Sequence, residues 1–190
     1  MDKKLDFLFD EKGGRFLIRM CKDEAEYLYN LVKSMNKPNC VEIGRYQGGS
    51  TILMAYAGGK IFSIDLHVGK FVINGMGKRF DAYLHGILSL LGVRQNVKLK
   101  IGDSQNYFTD NLKETVDILF IDGDHRYEGV KKDYENWIKT VKPGGHVLFH
   151  DACKARPGAT MVADVKRFVD TVPLKRVHEV GSVVHFIKEK

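Results

Sequence analysis

Apolar residues are distributed along this chain in two alternating patterns. Short apolar runs, of the length of a buried strand, are followed by stretches in which apolar positions recur every three or four residues, as on one face of a helix. From residue 23 onward the two kinds of segment follow each other in turn. This alternation predicts an α/β fold in which helices cover both faces of a mostly parallel sheet.

Strands and helices of this fold can be placed along the chain. The predicted strands are Cys40 to Gly44, Lys60 to Asp65, Val97 to Ile101, Val116 to Asp122 and Gly145 to Asp151. The predicted helices are Asp23 to Met35, 50 to 57, Arg79 to Leu91, 128 to 141 and 160 to 172. The apolar stripes of these helices are typical of faces that pack on a core.

The chain ends in two further predicted strands, Lys175 to Val180 and Val183 to Lys188. Only Gly181 and Ser182 separate them, and a link of two residues cannot cross over a sheet. The two strands must therefore pair as an antiparallel hairpin.

Length and composition predict a single domain over residues 1–190, with an N-terminal extension over 1–22 and a lid loop over 66–78. With 44% hydrophobic and 28% charged residues, the chain is not of the disordered class. Its three cysteines have neither zinc-site nor disulfide spacing, which favours a cytoplasmic protein. No apolar stretch approaches the roughly 20 residues of a membrane helix, and acids interrupt the first residues, so we expect a soluble, unprocessed protein.

The formal charge of +6 comes from basic residues that are scattered among acidic ones. This pattern favours a solvated basic surface over a nucleic-acid partner. The sequence leaves the oligomeric state open. The leading residues Leu5, Phe7, Leu8 and Phe9 have no place in the predicted sheet, which is compatible with a homodimer.

A glycine turn follows the first predicted strand, in the run VEIGRYQGGST from Val41 to Thr51. Glycines let the backbone bend tightly, and the first N–H groups of the following helix then point towards a ligand. A nucleotide-like cofactor is therefore favoured, although a plain strand-to-helix connection is the alternative. The dinucleotide pattern fails at Tyr46, and no Walker A lysine follows.

Carboxylates end several of the predicted parallel strands. Asp65, Asp122 and Asp151 do so, and Asp103 follows the third strand. Ligands of such sheets bind at this edge, and facing carboxylates repel one another unless a cation or ligand hydroxyls neutralise them. Asp65 lies about twenty residues after the glycine turn, where an acid can accept hydrogen bonds from ribose hydroxyls.

The ends of the fourth and fifth predicted strands suggest a metal site. Asp122 and Asp151 can both reach one hard cation such as Mg²⁺. His125 follows in the loop and can take a proton from a substrate hydroxyl, or can simply bond nearby backbone. His150, just before the strand end, is interpreted as structural.

Five motifs together, VEIGRYQGGST, IFSID, IGDSQ, LFIDGDH and KPGGHVLFHD, resemble the class I S-adenosylmethionine-dependent methyltransferases. The chain is most similar to the small metal-assisted O-methyltransferases of the catechol type and to relatives that methylate macrolide sugars. The resemblance covers nearly the whole chain from about residue 23. It implies a Rossmann-like seven-stranded sheet in the order 3-2-1-4-5-7-6, which agrees with the terminal hairpin.

The resemblance also implies a cofactor site for S-adenosylmethionine. The glycine turn would hold the methionine part, an aspartate the ribose, and the residues after the third strand the adenine. The implied contact residues are Glu42, Gly44, Tyr46, Ser50, Asp65, Asp103, Ser104, Gln105 and Asp122.

In the family that this chain resembles, the aspartates matching Asp122 and Asp151 bind a divalent metal. His125 falls where these enzymes place a catalytic lysine or a histidine base. The catechol enzymes have an asparagine ligand where this chain has Ala152, so Asp124 becomes the candidate third ligand. The expected reaction is methyl transfer to a hydroxyl oxygen of a small molecule, with assistance from Mg²⁺.

Three alternatives remain open at this point. The first is an NAD-dependent oxidoreductase on a Rossmann-like sheet, which the glycine pattern and the hairpin disfavour. The second is a cofactor-binding protein without transfer activity, which Ala152 keeps open. The third is a nucleic-acid methyltransferase, but none of the four prolines are adjacent, as the common amino-directed motif requires. The acceptor itself is not revealed, since the segments expected to select it, Leu66 to Lys78, Lys154 to Thr160 and the N-terminal segment, contain no interpretable motif.

Overall fold

A computed structural model describes residues 1–9, 17–66, 76–107, 109, 112, 115–153 and 161–189 of the chain. The strands are β1 (Asn39–Ile43), β2 (Lys60–Asp65), β3 (Val97–Ile101), β4 (Val116–Ile121), β5 (Val141–Phe149), β6 (Lys175–Val180) and β7 (Val183–Ile187). The helices are α1 (Lys22–Lys33), α2 (Gly49–Tyr56), α3 (Met76–Leu90), α4 (Tyr127–Trp137) and α5 (Met161–Val169). Short 3-10 helices lie at Lys3–Leu8, Arg94–Asn96, Ser104–Asn106 and Ile138–Thr140.

The seven strands form one sheet in the order β3-β2-β1-β4-β5-β7-β6, which confirms the predicted topology. Strands β1 to β5 run parallel, and β7 pairs antiparallel with both β5 and β6. Ile43, the last residue of β1, lies opposite Ile64 of β2 and Ile121 of β4. The carboxyl ends of the central strands therefore meet at one edge.

The sheet separates two hydrophobic clusters, because successive residues of a strand point to opposite faces. In β4, Ile118 and Phe120 pack with residues of α1, α2 and α3, whereas Leu119 and Ile121 pack with α4 and α5. Trp137 of α4 is the largest fully buried side chain of the second cluster. Helices thus cover both faces, as the alternation of segments predicts.

The N-terminal segment is part of this core, which corrects the expectation that its apolar residues have no place there. Leu5 and Leu8 are fully buried, Phe9 is almost so, and all three belong to the cluster of α1 and α2. Only Phe7 is exposed, with 39% of its surface accessible. These residues therefore give no support to a dimer, and the oligomeric state stays a prediction.

Most predicted element bounds differ from the structure by one to three residues, and the largest shifts are at the end of α4 and the start of β5. Helix α4 ends at Trp137 and β5 begins at Val141, because Val141 already pairs with Val116 and the residue before Pro143 is biased away from helix. The predicted lid over 66–78 overlaps the start of α3 at Met76, and residues 67–75 lie outside the described part of the chain. Among the helices that the structure describes, none is long and apolar enough to cross a membrane.

Candidate active site at the carboxyl edge of the sheet

The glycine turn between β1 and α2 has a backbone that favours glycine. Gly44 and Gly48 both have φ near +86°, and Tyr46 between them has φ of +49°. A Cβ atom on Gly44 would lie 2.1 Å from the carbonyl oxygen of Asp122, so any side chain there would force the two loops apart. The backbone N–H of Asp122 also donates to the carbonyl of Ile43 at 2.8 Å. The turn after β1 and the loop after β4 are thus in direct contact.

Asp65, at the end of β2, is bonded to this turn. Its Oδ2 accepts hydrogen bonds from the backbone N–H groups of Arg45 at 2.7 Å and Tyr46 at 3.0 Å. The Tyr46 ring is half exposed, and its hydroxyl accepts a hydrogen bond from Arg19 at 2.6 Å. The carboxylate predicted to bind ribose therefore also fixes the turn predicted to bind methionine.

Glu42 and Ser50 form a buried hydrogen bond beneath the turn. Glu42 is fully buried, and its carboxylate accepts hydrogen bonds from the hydroxyls of Ser50 and Ser63, each at 2.5 Å, and from Thr51. Burial raises the pKa of Glu42, and the three hydroxyl donors oppose that rise. The guanidinium of Arg45, also buried, donates to the carbonyl of Ser63 at 3.2 Å. These side chains therefore stabilise the turn from below.

Thr51, Ser63 and Arg45 were not predicted as parts of this cluster. One sequence signal was available, because Ser63 is a polar residue inside the apolar run of β2. A buried hydroxyl needs a partner, so its position on the same sheet face as Glu42 would have suggested the pair. The strand register that places Ser63 opposite Glu42 becomes visible only in the assembled sheet.

The loop after β3 forms a 3-10 turn that packs on α4. Asp103 accepts from the backbone N–H of Gln105 at 2.9 Å and from the Asn106 side chain at 2.7 Å. Ser104 is buried, and its hydroxyl donates to Asp133 of α4 at 2.5 Å. The side-chain amide nitrogen of Gln105 donates to the carbonyl oxygen of Gly129 at 3.4 Å. The three residues predicted at the adenine are thus brought together with the first turns of α4.

Asp133 is a further site residue that was not predicted. Only 1% of its surface is exposed, and burial raises its pKa to about 6, although the Ser104 hydroxyl bond acts in the opposite direction. The backbone N–H of Asp124 also bonds to it. This one carboxyl group therefore links the loop after β3 to the loop after β4. Its only sequence signal is an acid within the apolar stripe of α4.

Asp122, His125 and Asp151 form the one group among the described residues in which three ligand atoms suited to a metal lie within 4.8 Å of one another. The Nε2 atom of His125 is 3.5 Å from Asp122 and 3.9 Å from Asp151, and each side chain is about one-fifth exposed. Asp151 has φ of +52°, so the chain leaves the strand direction at this residue. Two carboxylates and an imidazole are a donor set that fits a divalent cation.

Asp124, the predicted third ligand, is not part of this group. Its carboxylate bonds to the side chain of Arg126, with both oxygens 3.0 Å from Nε, and to the Arg126 backbone N–H. Ala152 is fully buried in the cluster of α4 and α5, and its N–H donates to the carbonyl of Ser182. The residue that lies beside the carboxylates of Asp122 and Asp151 is therefore His125, and neither Asp124 nor Ala152 takes that place.

A second imidazole lies behind the carboxylates. His150 is buried, with Nδ1 3.0 Å from Asp122 and Nε2 3.5 Å from Glu24 of α1. Burial alone would raise the pKa of Asp122, but the charges and hydrogen bonds of His150 and His125 lower it to about 2. Burial likewise disfavours the charged form of His150, yet Asp122 and Glu24 hold its pKa well above the ordinary value. The pKa of His125 is also raised, chiefly by its hydrogen bond to Asp122.

Comparison with known proteins identifies a family and several relatives. A family described as a methyltransferase domain matches residues 41–152. An uncharacterised protein of Acanthamoeba polyphaga mimivirus is 32% identical over 132 residues, which are 65% of this chain and 57% of that protein. Caffeoyl-CoA O-methyltransferase 5 of Nicotiana tabacum is 27% identical over 173 residues, 82% of this chain and 65% of the enzyme. The chain thus spans less than two thirds of either relative.

Solved structures share the fold. The O-methyltransferase TomG of Streptomyces achromogenes, solved in complex with S-adenosylmethionine, superimposes with a TM-score of 0.68 at 18% identity, over 99% of this chain and 91% of TomG. A SAM-dependent O-methyltransferase of Thermotoga maritima gives a TM-score of 0.66 at 16% identity, over 100% of this chain and 72% of that one. At such identities the likeness concerns the fold.

Proposed function

This chain belongs to the methyltransferase domain family, and we propose that it transfers the methyl group of S-adenosylmethionine to a hydroxyl oxygen of a small molecule with help from a divalent cation. One observation carries the proposal. The carboxylates of Asp122 and Asp151 and the imidazole of His125 converge at the sheet edge, and the loop that begins with Asp122 touches the glycine turn at Gly44. A cofactor on the turn and an acceptor over the carboxylates would therefore be neighbours.

The predicted cofactor residues would have different roles, which follow from their contacts. The backbone of Gly44 and Tyr46 would face the methionine part, and Asp65, fixed by the N–H groups of the turn, would accept the ribose hydroxyls. The 3-10 turn of Asp103, Ser104 and Gln105 would border the adenine. The buried pair Glu42 and Ser50 would act by holding the turn in shape. TomG, which shares this fold, was solved with S-adenosylmethionine, and this supports the choice of cofactor.

For the acceptor, Asp122 and Asp151 would hold Mg²⁺, which lowers the pKa of a bound hydroxyl when it is present. His125 would accept the hydroxyl proton at Nε2, the atom that faces the two carboxylates, once Asp122 and Asp151 hold the cation, because the hydrogen bond to Asp122 that raises the pKa of His125 would then be weakened. The acceptor oxygen then forms a bond to the methyl carbon while the carbon–sulfur bond breaks, and S-adenosylhomocysteine leaves. Holding the oxygen, carbon and sulfur in line would supply much of the remaining acceleration. The relatives named as caffeoyl-CoA O-methyltransferases make phenolic hydroxyls the first acceptors to test.

Calorimetric titration with S-adenosylmethionine, with NAD as the control ligand, tests the cofactor. Binding of S-adenosylmethionine alone supports the proposal and justifies a screen of phenols and sugars with and without Mg²⁺. Binding of NAD alone would overturn it in favour of an oxidoreductase. A protein that binds the cofactor but methylates nothing in a broad acceptor screen would instead support a binding protein without transfer activity.

The variant His125→Ala tests the proton acceptor. Turnover should fall by about 10²- to 10⁴-fold, the usual contribution of general base catalysis, while cofactor affinity stays unchanged. Metal affinity, measured by calorimetry, should also be unchanged if His125 acts only as the base. A parallel loss of metal affinity would make His125 the third ligand and would contradict its assignment as the base.

A further inference from the structure

A line of hydrogen-bonding side chains runs behind the candidate metal site, from α1 to the end of β4. His150, whose side chain is 1% exposed, lies in the middle of this line. Its Nδ1 is 3.0 Å from Oδ1 of Asp122, and its Nε2 is 3.5 Å from Oε2 of Glu24. Both neighbours are carboxylates, which only accept hydrogen bonds when ionised, so the ring donates in both directions.

Glu24 is itself fixed by three other groups. Its Oε1 accepts from the N–H of Ser182 at 2.6 Å and from the Ser182 hydroxyl at 2.8 Å, and its Oε2 accepts from the N–H of Cys21 at 2.6 Å. A Cβ atom on Gly181 would lie 2.3 Å from Oε1, so the hairpin turn packs directly against this carboxylate. Glu24 therefore ties the start of α1 to the β6–β7 turn and offers His150 an immobile partner.

The contact with His150 affects the orientation of the Asp122 carboxylate. A carboxylate at a strand end can rotate about its side-chain bonds, and each rotation changes where its lone pairs point. Donation from a buried ring selects one rotation, and partners of this kind commonly change metal affinity by 10- to 100-fold. Asp151 has a weaker contact of the same kind, since its Oδ2 lies 3.6 Å from Nδ1 of His150.

We propose that His150, held in place by Glu24, is a positioning residue that orients the Asp122 carboxylate towards the metal and the acceptor. This inference rests on the proposed function and assigns His150 a role beyond the structural one expected from the sequence. In this role His150 acts through Asp122, and more weakly through Asp151, rather than through a contact of its own with the cofactor or the acceptor.

Two amide variants separate the two contacts of the ring. In His150→Asn, the side-chain amide nitrogen lies near the former Nδ1 and can still donate to Asp122. In His150→Gln, the amide nitrogen lies near the former Nε2 and can still donate to Glu24. Both replacements are polar and neutral, and each removes one of the two contacts, so each serves as the matched control for the other.

Mn²⁺ affinity by calorimetry, turnover with an accepted hydroxyl substrate, and S-adenosylmethionine affinity are measured for both variants and the wild type. We expect His150→Asn to bind Mn²⁺ within a few-fold of wild type, and His150→Gln to lose roughly 10- to 100-fold. S-adenosylmethionine affinity should be the same in all three proteins. Equal Mn²⁺ affinities for the two variants, whether both normal or both reduced, would overturn the inference.

Wild-type protein provides the remaining controls. If it binds neither S-adenosylmethionine nor Mn²⁺, the proposed function fails and the inference fails with it. If it binds both and the two variants do not differ, only the inference fails. Should both variants be unfolded, the ring N–H resonances of His150 in ¹⁵N-histidine-labelled wild type decide the matter. A shift on addition of Mg²⁺ supports the orienting contact, and unchanged resonances overturn it.

Discussion

His185 of β7 should make the stability of this protein depend on pH between about 4 and 6.5. The ring is 4% exposed and bridges two other elements, with Nδ1 2.6 Å from the Tyr27 hydroxyl and Nε2 2.9 Å from Nδ1 of His146. His178 of β6 lies opposite His185 in the strand pair and stacks on the Tyr27 ring. Burial lowers the pKa of His185 from 6.5 to about 4, and repulsion from the nearby His146 and His178 acts in the same direction.

The sign follows from proton linkage. The unfolded chain binds the proton at about pH 6.5 and the folded protein only near pH 4, so the folded state is favoured above 6.5 and loses that advantage as the pH falls. A pKa difference of about 2.5 units, at 1.36 kcal/mol for each unit, corresponds to about 3 kcal/mol of unfolding free energy. This is a substantial part of the 5–15 kcal/mol typical of a domain.

Urea denaturation of wild type and His185→Gln at several pH values from about 7.5 to 4 measures this effect. The difference between the two proteins is the informative quantity, because groups such as Asp133, whose pKa is raised to about 6, contribute equally to both. Near pH 7.5 wild type should be more stable by about 1–3 kcal/mol, owing to the hydrogen bonds of His185 to Tyr27 and His146. The advantage should shrink by about 3 kcal/mol towards pH 4. A constant difference across the range would refute the reasoning.

Four further variants test the packing of the chain and the cofactor contact at Asp65. Gly49→Ala should destabilise the protein by about 1–3 kcal/mol in urea, because its Cβ would lie 2.6 Å from the Cα of Ile18, whereas Gly86→Ala, with open space around it, should be neutral or stabilising by up to about 1 kcal/mol. Ala152→Asn should cost about 1–3 kcal/mol and leave Mn²⁺ affinity unchanged, since Ala152 lies in the core; tighter Mn²⁺ binding would contradict its placement. Asp65→Asn should weaken S-adenosylmethionine binding by about 10- to 100-fold in calorimetry, as it loses a charged acceptor, and an unchanged affinity would exclude Asp65 from the cofactor site.

The fold was predictable because its rules are local. Alternating periodicities indicated the parallel strands and their helices, and the two-residue link at Gly181 and Ser182 allowed only a hairpin. The end of α4 was not predictable from periodicity, because the apolar pattern continues through Ile138 and Val141 into a strand. Pairing of Val141 with Val116 decided that boundary, and such pairing is a tertiary contact.

The candidate site was predictable to the extent that strand ends define it. Asp122 and Asp151 end neighbouring parallel strands, so their convergence follows from the topology alone. Asp133 and Glu24 lie inside helices and reach the site only through helix packing, which no local pattern encodes. Glu42 of β1 was named from the resemblance, but its three hydroxyl partners come from α2 and from β2 and could not be paired with it from a local pattern.

The close approach of Gly44 to the backbone of Asp122 has a consequence for protein engineering. Because the two loops are in contact with no room for a side chain, a change in one of them is transmitted to the other. A mutant library aimed at a new acceptor should therefore keep residues 43–50 and 121–125 constant. Diversity belongs outside these two segments, where a substitution leaves the contact between Gly44 and Asp122 unchanged.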